Sequence, residues 1–134
     1  SMVTLMTALY GRVLRPQDRV AVKPHAGPVF HALQYLAGKQ TLEKMQNFRG
    51  LGGVQSYPSR TKDTADVDFS TGSVGLGVAI TAFASLVQDY VRARGWGTGP
   101  EGRMVALVGD AELDEGNIYE CLQEGWKHGL RNCW

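Results

Sequence analysis

Apolar residues recur every four positions near the start of the chain, at Leu5, Leu9 and Val13, which predicts a helix over 3–14 that Pro16 stops. Arg19 to Lys23 reads as a short strand. Pro24-His25-Ala26-Gly27-Pro28 makes a turn, and Pro28 suits the first position of a helix running from Val29 through Phe30, Leu33 and Leu36 to a stop at Gly38. Thr41 caps a further helix reaching Phe48. Gly50, Gly52, Gly53 and Pro58 then open a loop lasting to about Thr71, a length that in a compact domain points to function or mobility. From Ser73 the pattern is helical again, with Phe83, Leu86, Val87, Tyr90 and Val91 on one face, the stripe by which an amphipathic helix meets a core, and Gly95 ends it. A strand over 104–108 follows, then a helix over 115–128 stopped by Gly129, and residues 130–134 lead toward another strand. Alternating strands and helical crossovers predict an α/β fold, a parallel sheet covered by helices. Residues 19–23 and 104–108 should pair in parallel, with 73–94 packed on their sheet.

At 134 residues, 43% of them hydrophobic and 20% charged, the chain has material for one core, so 1–134 is read as one domain. Fourteen basic against thirteen acidic side chains leave a net charge of +1, which gives nucleic acid or an anionic membrane no electrostatic footprint to meet. Small-molecule chemistry is favoured instead. The apolar stretches, such as 78–83, fall short of the ~20 residues a membrane helix needs. Cys121 and Cys133 form no paired motif and no signal segment opens the chain, which fits a cytoplasmic protein, and Ser1-Met2 reads as a cloning scar. Glycine, at 17 residues, exceeds the usual share of roughly 7% without repeating, so it punctuates loops.

The most informative stretch runs from Val105 to Gly116, where an apolar strand meets the acids Asp110, Glu112, Asp114 and Glu115. In open α/β sheets the carboxyl ends of strands are where ligands sit, helix N-termini offer N–H groups to anions, and carboxylates hold hard cations. A metal-bridged diphosphate suits such a place. Capping of the following helix by the same acids is the competing reading. No phosphate-binding G-x-x-x-x-G-K-[ST] is present, Gly72, Gly75 and Gly77 follow no convincing buried strand as a dinucleotide fold requires, and the acids lack the spacing of an EF-hand loop.

Three segments in this order resemble the cofactor-binding domain of the thiamine diphosphate enzymes of the transketolase and pyruvate dehydrogenase class: the 24–28 turn, Thr71-Gly72-Ser73-Val74-Gly75-Leu76-Gly77, and Gly109-Asp110-Ala111-Glu112. The resemblance covers nearly the whole chain. It implies thiamine diphosphate with Mg²⁺ (or Ca²⁺) as cofactors, Asp110 as the metal ligand, and Gly109, Asp110, Ala111 and Glu112 as the motif beside the diphosphate. Ser73, Val74 and Gly75 would meet the aminopyrimidine, the Val74 carbonyl accepting from its amino group. His25 would lie near the diphosphate and substrate. Ala111 stands where the family's motif has glycine, which costs little at negative φ and is disfavoured at positive φ. The family's second metal ligand, an Asn, is expected beyond Trp134, so the chain is expected to be a fragment. His31, His128 and Cys121 are read as structural.

Transketolases usually carry a histidine just before the proline of the long loop, where this chain has Gln55-Ser56-Tyr57-Pro58-Ser59. The Ser-Tyr-Pro, with the acidic run 112–115, looks more like the homodimeric first component of pyruvate dehydrogenase, which makes a 2-oxo acid the expected substrate and a ketose phosphate the alternative. Tyr57 joins His25 as a candidate catalytic residue. The resemblance implies a homodimeric parent, and the fragment alone is expected to be inactive, to self-associate or be marginally stable, and to bind the cofactor weakly. A non-catalytic module that binds a diphosphate or a partner is the reading of another class.

Overall fold

The computed structural model describes residues 2–63 and 66–134; Ser1 of the expected cloning scar lies outside the described residues. Strand β1 (Arg19–Ala21) and strand β2 (Met104–Ala106) pair in parallel, Val20 opposite Val105. The Leu107 N–H extends the ladder by donating to the Ala21 carbonyl at 3.0 Å. The expected parallel pairing is present, with shorter strands. On the other edge of β2, Cys133 bridges Met104 in parallel, and the Ala106 N–H donates to the Trp134 carbonyl at 2.8 Å.

Helix α1 (Met2–Ala8) runs into a π turn over Leu9–Val13, and α2 (Gly27–Leu36) follows a short 3-10 turn over Pro24–Ala26. Because side chains alternate across a strand, Val20, Val22, Val105 and Leu107 share one sheet face, and there they pack with Met6 of α1 and Phe30 of α2. Phe30 is fully buried, a burial that contributes about 1.5–3 kcal/mol. Helix α3 (Leu42–Gln46) is shorter than its sequence pattern but starts as expected: the Thr41 hydroxyl accepts the Lys44 N–H at 3.3 Å. The loop after it is held internally over residues 55–63. Asp63 accepts the N–H groups of Gln55 at 2.9 Å and Ser59 at 2.7 Å.

Helix α4 (Leu76–Ala93) covers the other sheet face, and here the structure corrects the sequence pattern. The apolar stripe is not the buried one: Phe83 is 65% exposed and Val87 59%, whereas Thr81 and Ser85 are buried. Small residues explain the choice. A Cβ at 77 would stand 3.5 Å from that of Ala21, ordinary contact between small residues, and the Gly77–Thr81–Ser85 face lies on the sheet. The Thr81 hydroxyl reaches the carbonyls of Gly77 and Val78 at 3.0 and 2.9 Å, so its burial leaves no unmet polar group. The helix also starts later than Ser73, because Gly75 has a φ of +75°, outside any helix.

Helix α5 (Gly116–Lys127) packs beside α4, preceded by a 3-10 turn over Ala111–Asp114 that the sequence pattern does not show. The two stay separate because Glu115 is extended at φ −73°, ψ 126°.

Two ion pairs tie the flanks of the strands together at opposite ends. Before them, Asp18 accepts the N–H groups of Arg15 at 2.9 Å and Arg103 at 2.8 Å, and the Arg103 Nε at 2.9 Å, with Arg103 Nη2 against the same carboxylate. After them, Lys23 meets Glu112.

Candidate functional site

The carboxyl ends of β1 and β2 deliver residues 22–25 and 107–110 to one side of the sheet, where the first turn of α4 also begins. Lys23 is nearly buried, and its ammonium donates to Glu112 Oε2 at 2.8 Å and lies 3.4 Å from the Ser73 carbonyl. Glu112, 4% exposed, also accepts the Gly75 N–H at Oε1, 2.6 Å, and the Gly109 N–H at Oε2, 3.1 Å. One carboxylate therefore holds an ammonium and two backbone donors from separate loops. Burial opposes its ionisation, but the Lys23 ammonium and the two N–H groups outweigh that and keep the carboxyl below its ordinary range. Gly109 lies against this lysine: a Cβ there would sit 3.2 Å from Lys23 Nζ, so the side chain would have to shift by a few tenths of an ångström.

Asp110 is arranged differently. It is exposed, its backbone at φ −57°, ψ −51°, and no hydrogen bond or ion pair engages its carboxylate among the described residues. With Lys23, His25, Ala26, Val29 and Gly109 it lines a cleft of about 290 Å³. His25, on the 3-10 turn after β1, is exposed in the same cleft. Ala111 begins the following 3-10 turn, and Arg49 is the only non-glycine residue at positive φ among those described, so alanine in place of the motif glycine is unstrained.

The glycine-rich segment reaches the same corner. Ser73 and Val74 are exposed and Gly75 is buried. The Val74 carbonyl accepts the Leu76 N–H at 2.9 Å, which leaves it one lone pair. A Cβ on Gly75 would lie 2.1 Å from Asn117 Oδ1, a buried oxygen with no donor of its own.

Tyr57 is not in the cleft of Asp110 and His25. It stands 46% exposed at a separate polar depression that also involves Gln55, Ser59, Lys62, Ser70 and Thr71. The two depressions belong to abutting segments, because Gly27 lets the Ser56 carbonyl approach to within 2.7 Å of where a Cβ would be. His31 anchors the same loop from beneath, buried with its Nε2 2.8 Å from the Gln55 carbonyl, in keeping with a structural role.

Sequence reasoning missed Lys23 and Asn117. The signal for Lys23 was a lone charge ending an apolar strand, opposite an acid ending another. For Asn117 there was none, since its contact with Gly75 exists only once α5 is folded back.

The residues of the cleft fit one end of a metal-bridged diphosphate: the unengaged carboxylate of Asp110 could meet a hard cation, and His25 is exposed beside it to donate to a phosphate. Among the described residues no group of three or more His, Cys, Asp or Glu gathers about a common point, so Asp110 would contribute one ligand rather than a complete set.

The arrangement defines a parallel α/β unit with a cleft at the carboxyl ends of its strands that brings Asp110, Lys23 and His25 together. No family model matches the chain. It is 33% identical over 101 residues to the pyruvate dehydrogenase E1 component of Haemophilus influenzae, which covers 73% of this chain and 11% of that protein. The corresponding figures are 29% over 120 residues, 86% and 13%, for the protein of the same name from Mycobacterium tuberculosis. For that of Escherichia coli K12 they are 31% over 101 residues, 73% and 11%. The chain is thus similar to a segment of pyruvate dehydrogenase E1 components and spans about 11–13% of the length of these relatives. Among the described residues no helix is long and apolar enough to cross a membrane.

Proposed function

We propose that this chain is the cofactor-binding part of a thiamine diphosphate-dependent enzyme that decarboxylates a 2-oxo acid such as pyruvate, within a longer homodimeric parent. The observation that carries the reading is the unengaged carboxylate of Asp110 at the carboxyl end of β2, in one cleft with Lys23 and His25 and next to the Gly75 turn. Similarity to pyruvate dehydrogenase E1 components supports the reaction class.

In this reading Asp110 holds the divalent cation, the Lys23–Gly109 corner faces the diphosphate, and the free lone pair of Val74 accepts from the aminopyrimidine. When bound, the cofactor supplies the electron sink for loss of carbon dioxide. His25, exposed in the cleft, is placed to donate to a phosphate or to exchange a proton with substrate. Tyr57, in the adjoining depression, orients the 2-oxo acid by its hydroxyl. A phenol hydroxyl at this place, where the resemblance leads one to expect the imidazole of a ketol-transfer enzyme, favours this substrate over a ketose phosphate.

Calorimetry on the full-length parent with thiamine diphosphate and Mg²⁺ tests the reading, together with turnover of pyruvate against an artificial electron acceptor. Magnesium-dependent binding and pyruvate turnover are expected. Ketol transfer between sugar phosphates without 2-oxo acid turnover would overturn the substrate class, and absence of binding would leave a non-catalytic module.

A further inference from the structure

Glu112 lies in the motif that the resemblance places beside the diphosphate, yet its carboxylate faces inward and is taken up by this chain. Its two oxygens accept from Gly75 N–H, Gly109 N–H and Lys23 Nζ, at 2.6, 3.1 and 2.8 Å. Gly75 and Gly109 belong to loops 34 residues apart, one leading into α4 and the other leaving β2. Val74 precedes the first and Asp110 follows the second. Gly75 does not tolerate a Cβ, which would meet Asn117 at 2.1 Å with φ at +75°, and a Cβ at 109 would lie against the Lys23 side chain, 3.2 Å from Nζ. The two loops are thus small-residue turns closed onto one acid.

We infer that Glu112 is a positioning residue that clips the Gly75 turn to Gly109 and so fixes the separation between the Val74 carbonyl and the Asp110 carboxylate. The inference rests on the proposed function in one respect: the register between those two atoms matters to a ligand long enough to touch both, as thiamine diphosphate is. A short ligand that touches the Asp110 end alone does not need it. Lys23 is the counter-ion that lets the clip remain charged while buried, and a neutral carboxamide at 112 would keep its size but lose that pairing and one of its two acceptor oxygens.

The test uses the full-length parent and its Glu112→Gln variant. In the unliganded wild type, amide hydrogen exchange at Gly75 and Gly109 should be slow and matched, since one side chain holds both. In Glu112→Gln both should speed at least tenfold while amides of α1 and α2 keep their rates. Thiamine diphosphate with Mg²⁺ should bind the variant at least tenfold more weakly, and inorganic pyrophosphate with Mg²⁺, which meets only the Lys23–Gly109 and Asp110 end, should lose at least threefold less than the whole cofactor. Unmatched wild-type exchange at the two glycines, unchanged exchange in the variant, or pyrophosphate binding that changes in step with the whole cofactor would each overturn the clip. If Glu112→Gln fails to fold, the wild-type comparison of the two amides still decides. Wild type that binds no thiamine diphosphate would defeat the cofactor reading, while the exchange data decide separately whether Glu112 holds the two loops.

Discussion

The two ion pairs that brace the strands are built alike and placed at opposite ends, and their surroundings differ in a way that separates scaffold from site. Asp18 and Arg103 close the amino ends, Lys23 and Glu112 the carboxyl ends. Around Asp18, all the donors come from Arg15 and Arg103, the Arg103 guanidinium lies 4.6 Å from the Trp134 ring, and no glycine turn hangs from the carboxylate. Around Glu112, two of the three donors are glycine N–H groups from loops that lead to exposed Val74 and unengaged Asp110. An acid of similar burial thus serves at one end to fasten strands and at the other to hold backbone loops open to solvent.

The largest effect should come from leaving one buried charge alone. Lys23→Met in the full-length parent strands the Glu112 carboxylate with only two N–H partners, and a loss of about 3–5 kcal/mol in urea unfolding is expected. A loss below about 1 kcal/mol would show that the pair is solvated and that the comparison with Asp18 fails.

Gly75→Ala combines a positive φ with a Cβ directed at Asn117, and should cost at least about 1–2 kcal/mol. The same measurement on Gly116→Ala, where a Cβ meets nothing, is the control and should show no loss. Equal effects at the two positions would deny that the Gly75 turn is closed onto its neighbours.

At the other end, pH isolates Asp18. Burial pushes its pKa up, but the Arg103 side chain and the backbone N–H groups of Arg103 and Arg15 win and lower it from 3.8 to about 2. A folded-state value below the unfolded one means that the stabilisation is complete above about pH 4 and is lost as pH falls toward 2. Asp18→Asn should cost about 1–2 kcal/mol at neutral pH and flatten this acid limb of the stability curve. An unaltered limb would assign it to other carboxylates.

The smallest effects on stability should come from the residues that the comparison calls free. Asp110→Asn and Ala111→Gly should each change folding by no more than about 0.5 kcal/mol. They part company on ligand: Asp110→Asn should weaken metal-dependent binding of thiamine diphosphate at least tenfold, whereas Ala111→Gly should leave it nearly unchanged. A marked gain on restoring glycine would mean that the alanine restrains the motif.

Much of this organisation was legible in the residues. The two strands, which pair in parallel over 19–21 and 104–106 inside the expected 19–23 and 104–108, the Thr41 cap, the start of α2 near Pro28, and the breaks at Gly38, Gly95 and Gly129 are anticipated from local patterns, backbone preferences and the helical crossover between the strands. That Asp110 stands at a strand end also followed from the apolar run before it. Periodicity misled at α4, because a stripe of large residues marks a face able to be buried without saying which surface is available to bury it. The sheet offered Ala21, and the close fit belonged to Gly77, Thr81 and Ser85. At Glu112 too, sequence neighbours and spatial neighbours differ. Its neighbours in sequence suggest a ligand, while its neighbours in space are Lys23, 89 residues away, and Gly75, 37 away. Sequence alone thus determined where strands, helices and turns could form and which acids end a strand, since those depend on local propensity and period. Only the tertiary structure decided which acid is engaged by internal partners and which is left exposed and unengaged, because that depends on donors which meet only when the two strands lie side by side.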